Sequence, residues 1–472
     1  MDFIDKLRIE STQKLDQSKR SQLGQYMTPS AIADFMASLF TVKQKEVRLL
    51  DAGAGIGSLT AAFIQKNNTS NIQAELWEID QVLISYLEKN LENEEAVIRS
   101  SDFIEDAVKS LLNNTGSRFT HCIINPPYKK INSNSTHREL LRQVGVETVN
   151  LYSAFLALCI LLLQENGQVV AIIPRSFCNG VYYKPFRKFL LDKCSIEHIH
   201  LFESRKKAFK DDDVLQENII IKLVKTKQVK QVRISTSHDG SFGNYEVRLV
   251  SLDEIIKPED DEVFIHVPTQ TEETSIHFKN RLQETGLKVS TGPVVDFRVK
   301  EFCTRQPERN SVPLLYPHHF KSTRLDYPRE HKKPNGILVN EETKKWLMPK
   351  GFYTIVKRFS SKEEKKRIVA YVVSPKELNF PYFGFENHFN VFHENKQGLD
   401  EETAYGLSAY LNSTLIDNYF RVFSGHTQVN VADLKLLKYP SRSKLRRIGK
   451  LTKSKQLNQE QIDHLFLKEI VS

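Results

Sequence analysis

Arg48-Leu49-Leu50-Asp51-Ala52-Gly53-Ala54-Gly55-Ile56-Gly57 reads as a short buried strand running into a glycine-rich turn and then a helix over Ser58 to Gln65. Gly53 and Gly55 let the backbone approach a ligand closely. A dinucleotide fingerprint needs a third glycine at position 58, where the chain has Ser58, and there is no lysine-containing phosphate loop. A nicotinamide or triphosphate site is therefore disfavoured.

Around this turn, strands and helices alternate from about Thr28 to Val224, the rhythm of a doubly wound, mostly parallel α/β sheet. The stretch Gln73 to Asp80 is a second strand, and Glu78 near its end can accept from ribose hydroxyls; the plain alternative is a solvated strand-end carboxylate. Ser101-Asp102-Phe103 closes a third strand with a carboxylate for an adenine amino group and a ring to pack on it. Ile219 to Val224 would be the last strand of the sheet, followed by the polar boundary Lys225-Thr226-Lys227-Gln228. From about Val229 the texture changes to short β-rich segments with prolines and aromatics, which implies a second domain.

Asn125-Pro126-Pro127-Tyr128 follows the apolar run His121 to Ile124, at the carboxyl end of a predicted strand, where open α/β sheets bind ligands. The chemistry this suits is methylation of a planar amino nitrogen. In adenine the N6 lone pair is delocalised into the ring. The side-chain oxygen of Asn125 and the carbonyl of Pro126 can each accept one N6 hydrogen, favouring a more pyramidal nitrogen with its lone pair aimed at a methyl donor. Pro127 fixes the turn and Tyr128 can stack on the base. Asn and Pro are also ordinary turn residues, so the motif alone is compatible with a strand-end turn.

The order of these segments resembles that of the gamma-order S-adenosylmethionine-dependent DNA adenine-N6 methyltransferases, and within them the BsuBI/PstI type of restriction-modification methylase. The match begins at Gly24-Gln25-Tyr26-Met27-Thr28-Pro29 and continues through the glycine-rich turn, Asn125 to Tyr128, and Asn166 to Pro174. Phe209 to Asn218 and Ser424-Gly425-His426-Thr427-Gln428-Val429-Asn430 extend it. The resemblance implies a Rossmann-like class I methyltransferase fold with a C-terminal mixed α+β target-recognition domain. It divides the chain into an N-terminal helical arm (1–23), a catalytic domain (24–228) and a target-recognition domain (229–472). It also implies roles. Thr28, Pro29, Asp51, Ala52, Gly53, Gly55, Glu78, Asp102, Phe103 and Asn125 would hold S-adenosylmethionine. Asn125 and Pro126 would hold the target amine, with Tyr128 and Phe209 stacking on the two faces of a flipped base. Phe209 could equally anchor its loop to the core.

Composition agrees. The chain has 472 residues, enough for two or three domains, and a formal net charge of +9 that suits a polyanionic partner such as double-stranded DNA, although ribosomal and membrane-surface proteins share that balance and charge does not choose among them. Five scattered cysteines without a CxxC pair imply a reducing compartment and no metal. The mixed, charged start Met1-Asp2-Phe3-Ile4-Asp5 is unlike a signal sequence. The apolar run Ala154 to Leu163 is about half a bilayer span and reads as a helix packed on the sheet. A bacterial cytoplasmic enzyme with no membrane partner is the expectation.

In the C-terminal half, Trp346, Phe352, Tyr353 and Phe359 are interleaved with lysines and arginines that include Lys357 and Arg358. His426, Thr427, Gln428 and Asn430 carry side chains able to address base edges or phosphates. A β-rich core with a solvated charged face is the plainer account of any one of them. Ser441 to Lys455 is either a phosphate-contacting helix or a soluble tail. The expected activity is site-specific methylation of adenine N6 that protects DNA from a separately encoded endonuclease. The rivals are methylation of a protein glutamine amide, methylation of RNA adenine, and a non-catalytic DNA-binding specificity subunit.

Overall fold

The computed structural model describes residues 3–14, 27–67, 71–115, 119–203, 217–258, 260–268, 278–321, 324–360, 364–424, 427–455 and 457–471. Phe209 and His426, together with Gly24 to Tyr26, lie outside the described residues.

Nine strands build the first sheet: β1 (Glu46–Ala52), β2 (Asn71–Trp77), β3 (Ala96–Arg99), β4 (Phe119–Ile124), β5 (Leu163–Pro174), β6 (Ser195–Phe202), β7 (Asn218–Val224), β8 (Gln231–Ser237) and β9 (Glu246–Ser251). Their spatial order is β3-β2-β1-β4-β5-β7-β6-β8-β9. β1 to β5 run parallel, and β7 is inserted antiparallel between β5 and β6. Because the chain winds outward from β1 first toward β3 and then toward β5, β1 and β4 flank a switch point, where the connections diverge and leave a crevice beyond the strand ends.

Alternation along the central strands feeds two cores. Leu50, Ala52, Cys122, Ile124, Val169 and Ala171 pack with the helix Leu151–Leu162, while Val47, Leu49, Ile123, Val170 and Ile172 pack on the opposite face. That second face carries the helices Ser30–Ser38 and Ser58–Lys66. With both faces covered, the strands need apolar side chains at every position, which is why they read as unbroken hydrophobic runs. The run from Ala154 is indeed a buried helix, and no described helix is long and apolar enough to cross a membrane. In the N-terminal arm, the helix Phe3–Lys14 packs beside the helix Gln81–Asn90, with Leu7, Met27, Ile56, Leu83 and Tyr86 in one small cluster.

The sheet does not stop where the polar stretch at 225–228 implied. β8 pairs in parallel with β6, and β9 pairs with β8, so residues 231–251 complete the first sheet instead of opening the second domain. The two compact units are 1–269 and 270–472. Lys225 to Gln228 is only a turn between strands, and its polarity could not distinguish a turn from a linker.

The second unit is α+β. An antiparallel sheet of Lys288–Thr291, Phe389–His393, Tyr353–Lys357 and Ala370–Val373 and a mixed five-stranded sheet precede helices that include Glu401–Leu411 and Arg442–Thr452. The latter helix is more than a soluble tail. Arg442 pairs with Glu394 and Asp400, and Arg446 and Lys453 approach Glu402, so part of its positive charge is neutralised within the unit. These two helices meet at glycines. A Cβ at Gly406 would collide with the carbonyl of Leu445, and one at Gly449 with the carbonyl of Glu402. Gly406→Ala or Gly449→Ala is expected to destabilise this unit by about 1–3 kcal/mol through overpacking, seen as a lowered midpoint in thermal unfolding.

Candidate cofactor and catalytic site

A cavity of about 320 Å³ opens beyond the carboxyl ends of β1, β2 and β4. The turn after β1 forms one wall. Gly53 and Gly55 adopt φ of 77° and 58°, which any residue with a Cβ resists. The backbone N–H groups of Gly53 and Ala54 both donate to the Trp77 carbonyl at 2.9 Å, joining the ends of β1 and β2.

Glu78 ties the same two ends from its side chain. Its Oε2 accepts from Gly55 N (2.9 Å), and its Oε1 accepts from Ile79 N (2.8 Å) and Asp80 N (2.9 Å). Burial raises its pKa, opposed by these three donors. A strand-end carboxylate in solvent is thus not what the structure contains. Oε1 is filled by its two donors, while Oε2, with one, retains capacity for a further donor from a ligand.

Asp51 is buried at the end of β1. Its Oδ2 accepts from the Thr60 hydroxyl (2.7 Å), whereas Oδ1 is buried without a hydrogen-bond partner among the described residues. Burial, with a contribution from the negative charge of Glu78, pushes its pKa up to about 7 despite the Thr60 bond. Ala52 is fully buried beside it.

Asp102 caps the helix Phe103–Leu112, its Oδ1 accepting from Ile104 N (2.8 Å) and Glu105 N (3.2 Å), while Oδ2 lies 3.0 Å from His137 Nε2. Burial works to raise its pKa, but the His137 bond and the cap donors outweigh it and the net shift is downward. The same pairing raises the pKa of His137. Phe103 is buried at the cavity floor, edge-on to Trp77 (5.5 Å) and close to Phe155 (5.0 Å), and Trp77 Nε1 donates to Asp106 (3.0 Å).

Asn125 lines the cavity at the end of β4, with its amide fixed on both sides. Nδ2 donates to Thr28 Oγ1 (3.0 Å), and Oδ1 accepts from the Tyr128 hydroxyl (3.0 Å), which also lies 3.1 Å from the Ile172 carbonyl. Pro127 lines the cavity as well, Pro126 is buried, and Pro29 precedes the helix Ser30–Ser38.

The sequence thus located most of these walls. It missed the segment Lys129 to Asn132 with Ser135 and His137, which forms another side of the cavity. His137 is one of 14 histidines, and nothing in its spacing connects it with Asp102, 35 positions earlier.

In the second unit, two of the distant polar stretches come together. Phe359 bridges Gln428, Ser360 N donates to the Thr427 carbonyl (3.0 Å), and Val429 N donates to the Arg358 carbonyl (2.7 Å). Arg358, Thr427 and Gln428 therefore share one edge, with Thr427 exposed. Lys357 is paired with Glu364 (2.9 Å), and Asn430 caps the helix Val431–Leu436, its N–H donating to Asp433 (2.8 Å). Among the described residues no cluster of His, Cys, Asp and Glu could hold a metal ion.

Residues 21–209 match the family model described as Eco57I restriction-modification methylase. The chain is 52% identical over 472 aligned residues to the type II methyltransferase M.BsuBI of Bacillus subtilis, covering 95% of this chain and 93% of that protein. It is 43% identical to the type II methyltransferase M.PstI of Providencia stuartii, covering 98% and 96% respectively. Among solved structures, the DrdV–DNA complex aligns with a TM-score of 0.54 at 14% identity, covering 96% of this chain and 60% of that one. The fold is that of a class I methyltransferase.

The raised pKa of Asp51 has a thermodynamic consequence. The native state keeps a proton that the unfolded chain releases above its ordinary value of 3.8, so this contribution to stability is complete below that value and is lost as pH rises to about 7. Urea titrations across this range are expected to show a component of up to roughly 1.4 kcal/mol per pH unit that Asp51→Asn removes. His137 acts in a neighbouring window. Its raised pKa contributes stability below about 6.5 that is lost as pH rises through the folded value, and His137→Gln should remove that loss in the same titrations.

Proposed function

The chain belongs to the type II restriction-modification methyltransferases, with S-adenosylmethionine as methyl donor, and from this premise we propose that it methylates N6 of an adenine rotated out of duplex DNA. The observation that carries the reading is Asn125, its amide clamped between Thr28 and Tyr128 at the rim of the cavity beyond β1.

The residues present fit the cofactor. A cavity of about 320 Å³ is within the size range of small-molecule sites. Its walls offer the cradle of Gly53 and Gly55, the Glu78 carboxylate for ribose hydroxyls, and Asp102 with Phe103 and Ile79 for an adenine ring. Asp51, buried behind this cradle and bonded to the Thr60 hydroxyl, is proposed to brace it from the β1 side. When bound, the cofactor supplies a sulfonium-activated methyl group. Thr28 and Asn125 join this cradle to the reacting position, and Pro29 holds Thr28 at the start of its helix.

The chain's own contribution to chemistry is alignment. Thr28 takes the amide N–H₂, which turns Oδ1 toward the strand end, where its second lone pair can accept from the target amine. With the Pro126 carbonyl as a second acceptor, the nitrogen lone pair is directed at the incoming carbon without a strong base. Holding the two reacting atoms in line can supply a large part of the barrier reduction. Extruding the base costs a few kcal/mol, offset by stacking on Tyr128 and by contacts to the base edge. Phe209 is proposed for the opposite face. In the second unit, Arg358, Thr427 and Gln428, with His426 beside them in sequence, are proposed to contact the DNA.

The proposed role of this methylation is protection against a separately encoded endonuclease acting on the same site. Tritiated-methyl transfer to DNA, RNA and protein, followed by sequencing of modified bases, tests substrate and modified atom together; label confined to protein or RNA would overturn the reading. Asn125→Ala is expected to lower methyl transfer by at least about 100-fold with cofactor binding retained, measured by single-turnover kinetics. Tyr128→Ala should weaken base capture more than Tyr128→Phe, which removes only the hydroxyl bonded to Asn125 and Ile172.

A further inference from the structure

On the second unit, the turn Asp296–Arg298 and the segments around Lys300 to Arg305 and Lys332 to Pro334 enclose an open groove of about 760 Å³. Its walls carry Lys300, Arg305, Lys332 and Lys333 against a single carboxylate, Asp296. That carboxylate is already committed, accepting from Lys333 Nζ (2.6 Å) and from the Tyr316 hydroxyl (3.1 Å). Lys300, Arg305 and Lys332 are exposed and form no ion pair among the described residues. Cations that line one groove without ion-pair partners among the described residues repel one another, and an incoming anion relieves that repulsion.

Beside them stands Phe297, 63% exposed, in a turn anchored from below by the bonds of Asp296. A phenylalanine held in water by a pinned turn, next to unpaired cations, is the pairing of apolar and positive surface that suits a sugar–phosphate chain. Neither the aromatic-and-basic stretch from Trp346 to Phe359 nor the edge at Arg358 and Gln428 includes these residues.

We propose that this groove is a duplex-DNA contact in which Lys300, Arg305 and Lys332 neutralise backbone phosphates while Phe297 packs against the deoxyribose edge. The inference rests on the reading of the chain as a DNA-modifying enzyme and adds to it a place where the second unit grips DNA irrespective of sequence. Lys333 takes no part, because Asp296 holds it as a strut. Neutralisation by side chains releases condensed counterions, so affinity falls with salt along a log–log slope of about 0.9 per phosphate neutralised.

The test uses the full chain and a synthetic duplex of arbitrary sequence, with binding followed by filter retention over a series of NaCl concentrations. The triple variant Lys300→Ala, Arg305→Ala, Lys332→Ala is expected to bind more weakly and to lose about 2.7 from the magnitude of the salt slope. S-adenosylmethionine binding by calorimetry should be unchanged. A control of equal charge, Lys43→Ala, Lys45→Ala, Lys66→Ala, removes exposed lysines near the opposite ends of the first sheet's strands and should keep the parent slope. Phe297→Ala should weaken retention without altering the slope; unchanged retention would remove the ring from the contact. A triple variant with the parent slope, or a control that loses as much, overturns the groove. If the unaltered protein retains no duplex at any salt concentration, the DNA reading itself fails, an outcome distinct from failure of the groove.

Discussion

Glu78 ties together the turns that follow β1 and β2, on one side of the switch point between β1 and β4. Its two oxygens gather N–H groups from Gly55, Ile79 and Asp80, so one buried carboxylate holds the turns after β1 and β2 at a set separation. A turn with positive φ at Gly53 and Gly55 has few side chains to brace it. Without an acceptor at this point, the buried N–H of Gly55 would lack a partner in an interior where such a loss costs about 1–3 kcal/mol. The cavity exists because these loops are kept apart, and the residues around it take their positions from that frame.

On the β4 side the frame is completed by a relay of side chains. Thr28, Asn125 and Tyr128 connect in series to the Ile172 carbonyl on β5, so the orientation of one amide is set by groups from three parts of the chain. Such an arrangement suits a residue whose work is to point lone pairs. An amide free to rotate would present N–H₂ as often as oxygen. The double proline limits backbone freedom at the same place.

The catalytic half was legible because each decisive signal is local. A buried parallel strand declares itself by its apolar run, the turn by its glycines, and the methylation motif by four consecutive residues. What escaped was whatever depended on contacts between distant segments. His137 meets Asp102 only after the intervening β4 has folded, and β8 with β9 joined the first sheet although a polar turn appeared to end it. The position of Glu78 at the end of a strand suggests a carboxylate facing a cofactor, yet its bonds to the backbone could not be read from that position. In the second unit, Asn430, expected among the candidates to contact DNA, stands at the N-cap of a helix with its backbone N–H bonded to Asp433. The edge formed by Arg358, Thr427 and Gln428 required pairing across some seventy positions, which composition does not encode.

The chain contains two tryptophans, and each unit holds one. Trp77 forms part of the cavity wall, with its indole bonded to Asp106, and Trp346 lies in the second unit beneath the Lys345 ammonium at 4.6 Å. The molecule thus carries a separate intrinsic fluorophore in each half. Replacing either indole by phenylalanine would leave an emission signal that belongs to one half alone, so events at the cavity and events in the other unit can be timed independently without attaching a dye.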